Sequence, residues 1–171
     1  YADQIINFTF PHVGNVGANQ EDLESDKVWT KGVILNSEIT SPSNYRALNH
    51  LDGWLKKNKI VGITGIDTRN LTNLIRDKGA PKGTISFLKN SKLNIKKLLR
   101  QTQNWSGLKN LDLAQKVSTK KSYTWKGLKT WRKGTGFVKN NKKNFHVVAI
   151  DYGIKKNILR YFSDFNCKVT V

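Results

Sequence analysis

KIVGITGIDTRNLTNLIRDKG, Lys59 to Gly79, holds a short apolar strand, a polar corner and an amphipathic helix in direct succession. Ile60, Val61 and Ile63 are β-branched, which suits a pleated strand, and Gly62 and Gly65 interrupt the run before it can become a helix. Asp67 or Thr68 can accept a backbone N–H as N-cap. Leu71, Leu74 and Ile75 recur at i, i+3, i+4 and share one face, with Gly79 where a left-handed C-cap residue is expected. The stretch predicts a packed βα unit with a polar corner.

Upstream, Gln4 to Phe10 (QIINFTF) alternates, placing Ile6, Phe8 and Phe10 on one face of a strand that Pro11 stops. Gly14, Asn15 and Gly17 then make a tight loop of residues suited to positive φ. A phosphate-cradling role for this loop is disfavoured: no Gly-Lys-Ser/Thr follows, and Glu21, Asp22, Glu24 and Asp26 would repel an anion. His12 has no second ligand at metal spacing and is read as structural. Lys27 to Leu35 is the next strand, and Leu51, Trp54 and Leu55 give helical spacing over about 48–58. After the central unit, Gly83 to Leu88 (GTISFL) reads as a strand and 94–101 as a helix, on a single core with the foregoing elements.

An apolar fraction of 37% over 171 residues suffices for a core. No apolar run reaches spanning length and no signal-peptide pattern opens the chain, so a soluble cytoplasmic protein is expected. Cys167 is the only cysteine, which excludes an internal disulfide and a Cys-rich zinc site and favours a buried spectator thiol. The chain begins at Tyr1 and stops at Val171 within an apolar run, so both ends are expected to be cut.

The net charge of +18 is uneven: residues 1–88 carry 10 Lys+Arg against 9 Asp+Glu, and residues 89–171 carry 20 against 3. Its densest part is Lys116 to Lys143, with ten basic residues (Lys116, Lys120, Lys121, Lys126, Lys129, Arg132, Lys133, Lys139, Lys142, Lys143), no acidic one, and Tyr123, Trp125, Trp131 and Phe137 interleaved. Cations over a backbone and aromatics under bases are what single-stranded nucleic acid requires, so a basic aromatic-rich nucleic-acid-binding module is the alternative function. Against it, no RNP, KH or helix-turn-helix pattern accompanies the run, and a solvated linker pinned by its aromatics is preferred.

Phe145 to Ile150 (FHVVAI) is near-continuously apolar, the mark of a parallel strand covered on both faces. Asp151, Tyr152 and Gly153 form the turn at its C-terminal end. Ile154, Ile158, Leu159 and Phe162 make a helix, and Cys167 to Val171 begins a second strand. Ligands of open α/β sheets sit beyond such strand ends, so a site could begin at Asp151 and Gly153.

Three segments, FTFPHVGNVGAN at 8–19, GIDTRNLTNLIRDKGAPKGTI at 65–85 and HVVAIDYGIKKNILR at 146–160, together resemble the successive signatures of the glutamine-hydrolysing small subunit of carbamoyl-phosphate synthase. LDLAQKVS at 111–118 is similar to the family's pattern between them. The third segment is shared more loosely with class I glutamine amidotransferases. The resemblance implies an α/β chain: an N-terminal swivelling β/β/α domain over 1–130, a basic linker over 131–144, and from 145 the first βαβ portion of a flavodoxin-like class I amidotransferase domain. It implies that the complete subunit hydrolyses glutamine with a Cys-His-Glu triad and passes ammonia to the large subunit, which makes carbamoyl phosphate from bicarbonate and two ATP for arginine and pyrimidine synthesis. On that reading the triad lies past Val171. Cys167, in FNCKVTV, lacks the Gly-rich context of a nucleophile elbow, so this stretch alone is expected to be inactive. It would hold no cofactor, since ATP and Mg belong to the large subunit, and no metal. Gly14, Asn15, Gly17, Asp67, Thr68, Arg69, Asp151 and Gly153 are the family-motif candidates for structural or subunit-contact roles, with Arg69 free to pair a carboxylate bidentately.

Overall fold

A computed structural model describes residues 1–89 and 92–171. They form two compact units: residues 1–19 with 28–111, and residues 20–27 with 112–171.

The first unit is built on a three-stranded parallel sheet of β1 (Ile5–Asn7), β2 (Gly32–Ile34) and β3 (Val61–Ile63), in that order. Ile6 pairs with Val33, which pairs with Gly62. Strands β1 and β3 sit inside the predicted runs. The predicted strand at 27–35 contracts to three residues, and β1 ends at Asn7, leaving Phe10 60% exposed instead of on the core face. Val33, Leu35 and Leu55 are buried, the last on α1 (Leu51–Lys57), which lies against β3. The polar ring of His50, unremarked in the sequence, caps α1: its Nδ1 accepts the Asp52 N–H at 3.2 Å.

Helix α2 (Thr68–Lys78) follows β3 as the central stretch predicts, and Asp67 is its N-cap, with Oδ1 accepting the Asn70 N–H at 2.9 Å. Gly79 takes the expected positive φ of 81°, but its ψ of 168° lies outside the left-handed helical region. Helix α3 (Ile95–Asn104) starts where predicted, capped by Asn94. The strand expected at 83–88 does not form. Among the described residues this segment makes no ladder hydrogen bonds; Ile85 packs over Gly32, while Phe87 and Leu88 are exposed.

The second unit carries α4 (Leu113–Val117), β4 (Phe145–Val148), α5 (Lys156–Asp164) and β5 (Cys167–Thr170), of which the last three are the predicted βαβ. β4 and β5 are parallel, with Val147 opposite Val169. The other edge of β5 is taken by 123–125: Tyr123 and Val171 exchange N–H to carbonyl bonds at 2.9 and 2.8 Å, and the Trp125 N–H donates to Val169 at 2.9 Å. Leu159, Val169 and Val171 are the buried centre, with Trp125, Ala149, Ile154, Phe162 and Cys167 packed around them. The expectation that β4 is covered on both faces is corrected. Phe145 is 65% exposed on the face it shares with half-buried Val147, Val148 is 70% exposed on the opposite face, and Ile150, just past the strand, is 75% exposed. The structure is thus mixed α/β with small parallel sheets.

Candidate functional site

In the first unit the loop at 14–17 is a packing device. Gly14 and Gly17 have φ of 99° and 70°, and the Gly17 N–H donates to the Gly14 carbonyl at 2.8 Å. A β-carbon on Gly17 would stand 2.5 Å from Ala47 Cβ and 2.9 Å from Pro42 Cβ. The Asn15 carbonyl accepts the Ser43 N–H at 2.8 Å, which ties the loop to the Ser-rich turn. His12 is exposed, its ring edge-on to Phe10.

The corner at 65–69 is held differently. The Gly65 N–H donates to Asn36 and the Ile66 N–H to Leu35, while Asn36 Nδ2 returns a bond to the Ile66 carbonyl at 3.2 Å. Thr68 is fully buried, and its carbonyl accepts Asn7 Nδ2 at 2.8 Å. Arg69, next to it, is exposed and has no ion pair among the described residues. The corner therefore fastens α2 to β1 and β2 on one side and presents a guanidinium on the other.

In the second unit Asp151 sits just past β4 and closes three backbone donors. Its Oδ1 accepts the N–H groups of Gly153 at 2.7 Å and Ile154 at 2.9 Å, and its Oδ2 accepts that of Thr119 at 2.7 Å. Its carbonyl accepts Ser118 Oγ at 2.5 Å. Partial burial works to raise the carboxyl pKa, but the three N–H bonds outweigh it and hold the group below its ordinary value. Gly153 takes φ of 94°, and a β-carbon there would meet Val117 Cγ2 at 3.0 Å. The end of LDLAQKVS and the turn of HVVAIDYG, separate in sequence, are thus one locked structure. Nearby, burial and then the Asp151 and Asp26 carboxylates push the Tyr123 phenol above its ordinary pKa, so it stays protonated.

An anion with every oxygen occupied orients the backbone and is not free to take a proton from a substrate. Cys167, half-buried, packs against the Leu159, Val169 and Val171 centre, and its thiol donates to the Phe165 carbonyl at 3.7 Å. No group of three or more His, Cys, Asp or Glu among the described residues could hold a metal ion. Two of the aromatics of the basic stretch are engaged within the second unit. Trp125 packs against the core and donates Nε1 to the Leu128 carbonyl at 3.3 Å, and the Arg160 guanidinium covers the Phe137 ring at 4.2 Å. Buried Asn140, which the sequence reading missed, holds this stretch with Nδ2 bonds to the Ser163 carbonyl and Asn166 Oδ1. Only its burial distinguishes it from the many exposed asparagines.

Residues 1–85 match the family model described as "Carbamoyl-phosphate synthase small chain, CPSase domain". The carbamoyl phosphate synthase small chains of Bradyrhizobium diazoefficiens and Bartonella henselae are 48% and 49% identical over all of this chain and 44% of their own length. That of Zymomonas mobilis is 46% identical over all of the chain and 46% of its length. The chain belongs to the carbamoyl-phosphate synthase small chain family. It spans less than half the length of these curated small-chain relatives. The alignment runs through both units, so the glycine loop, the Asp67–Arg69 corner and the Asp151 turn all lie within the region shared with small chains.

Proposed function

We propose that this chain is part of the glutaminase subunit of carbamoyl-phosphate synthase, a subunit that hydrolyses glutamine and delivers ammonia to a large subunit. The observation that supports this best is the alignment of the whole chain, at 45–49% identity, with small chains from several bacteria. On this reading residues 1–130 form the swivelling β/β/α domain, 131–144 the linker, and 145–171 the opening βαβ of a flavodoxin-like amidotransferase domain. The uncovered face of β4, with Val148 and Ile150, would be where further elements of that domain pack.

The residues present then have supporting roles. Asp151 and Gly153 set the first turn after β4, the position from which ligand sites of open α/β sheets are built. The Asp67–Arg69 corner is the candidate for contact with the large subunit, since Arg69 offers a planar guanidinium with five donors to a partner carboxylate. No residue described here performs the hydrolysis, and ATP with Mg would be bound by the large subunit. The location would be cytoplasmic; no helix among the described residues is long and apolar enough to cross a membrane.

The test is to express the complete reading frame with and without a large subunit and to follow glutamate release and ammonia-dependent carbamoyl phosphate formation. Glutamate release that rises on pairing is the expected result. A full-length chain that hydrolyses no glutamine in either state sinks the proposal.

A further inference from the structure

Segment 20–27 is an excursion: residues on both sides belong to the first compact unit, while the segment itself belongs to the second. Its attachment is specific and acidic. The Glu24 carbonyl accepts the Lys156 N–H at 3.1 Å, and Glu24 Oε2 accepts the Asn157 N–H at 2.8 Å. Glu24 Oε1 stands 3.5 Å from Arg160 Nη1, and Asp26 Oδ1 2.5 Å from Lys156 Nζ.

Helix α5 needs what this segment brings. Its N-cap position is Lys155, whose side chain makes no capping bond. The opening N–H groups of a helix are unsatisfied unless something outside it accepts them. Here the acceptors come from some 130 positions upstream in the chain. The carboxylate also lies at the positive end of the helix dipole, and it faces an Arg160 side chain that is only 7% exposed. The contact is thus used from both sides: α5 gains a cap and a counter-ion, and an otherwise polar loop gains an anchor.

We infer that residues 20–27 form a strap that closes on the start of α5 through Glu24, with Glu24 as the positioning residue that orders both the strap and the first turn of the helix. Asp26 reinforces it from an exposed position, where an ion pair counts for little. Detachment frees the strap and loosens the helix start together, without unfolding the β1–β3 sheet.

Hydrogen exchange by mass spectrometry and Glu-specific proteolysis of the full-length chain test this, comparing wild type with Glu24→Ala, Glu24→Gln and Asp26→Asn. Glu24→Ala is expected to speed exchange at 156–157 about tenfold, as loss of one ordinary cap would, and to open 20–27 to cleavage, with β1–β3 unchanged. Asp26→Asn is expected to change these amides by less than about twofold. Should Glu24→Ala fail to fold, Glu24→Gln carries the test, since it removes the charge at nearly constant shape and should raise exchange at the same two places. Unchanged exchange in Glu24→Gln, a wild-type strap that already exchanges as a free peptide, or a uniform rise across both units would overturn the proposal.

Discussion

The Thr119 N–H donates to Asp151 Oδ2 at 2.7 Å across 32 positions of sequence. This bond joins the segment that follows α4 to the turn that follows β4. The same carboxylate closes the turn on itself through Gly153 and Ile154, so one side chain sets two pieces of backbone.

Replacing Asp151 with Ala should therefore destabilise the second unit by about 1–3 kcal/mol, the cost of leaving donors unsatisfied. Because the folded carboxyl pKa is lowered, the sign with pH is definite. The stabilisation from the ionised group is fully present above its unfolded pKa and is lost as pH falls through the lower folded value. Urea unfolding as a function of pH should show this acid-side slope in wild type and a smaller slope in Asp151→Asn.

Asn140 is buried and donates through Nδ2 to the Ser163 carbonyl at 2.6 Å and to Asn166 Oδ1 at 2.8 Å, while its Oδ1 accepts the Lys142 N–H at 3.0 Å. Asn140→Ala should cost about 2–4 kcal/mol, since a buried acceptor, a half-buried acceptor and a backbone donor lose their partner. Trp fluorescence during denaturation measures it. A loss below about 0.5 kcal/mol, the range of ordinary surface changes, would contradict a holding role for this side chain.

Two glycines should respond in opposite directions. Gly17→Ala places a β-carbon into Ala47 and Pro42 at a φ of 70° and should destabilise by about 1–3 kcal/mol. Gly53 lies within α1 with open space around its missing β-carbon, so Gly53→Ala should stabilise by about 0.5–1 kcal/mol. Thermal melts of the two variants check both signs.

The corner separates folding from contact. Asp67→Ala removes the α2 cap and should cost about 1 kcal/mol of stability. Arg69→Glu, at an exposed position, should leave stability within about 0.5 kcal/mol of wild type yet weaken association with the large subunit at least about tenfold. Calorimetric titration of the two subunits gives the second number, and unchanged affinity would remove Arg69 from the interface.

Cys167→Ser in the full-length chain should retain glutamine hydrolysis, because the thiol packs against the buried centre of the second unit and its hydrogen bond goes to a backbone carbonyl. Complete loss of activity with folding intact would assign the nucleophile to Cys167.

Local chemistry made much of this legible. Asp67 was readable as a cap, because a short side-chain acceptor ahead of a helical period has few other uses, whereas Asn94 was placed only at the start of its helix. The βαβ of the second unit was legible from period and composition alone. GTISFL shows where that reading stops: its composition suits a strand, yet a strand exists only where a neighbour supplies ladder partners. The faces of β4 were misread for a related reason, since an apolar run says what a strand tolerates and not what packs on it.

The sequence by itself determined the α/β class, the order of the principal elements and the motifs that place the chain in its family. These depend on residues close together in the chain, where propensity, capping and period act. Only the tertiary structure decided that Glu24 caps α5, that Asn140 anchors the basic stretch and that Asp151 joins Thr119 to the turn after β4. Each of those bonds closes a loop of more than 20 residues. The identity of a polar side chain announces what it can accept or donate, and the partner is chosen by whichever backbone the packed core brings within 3 Å.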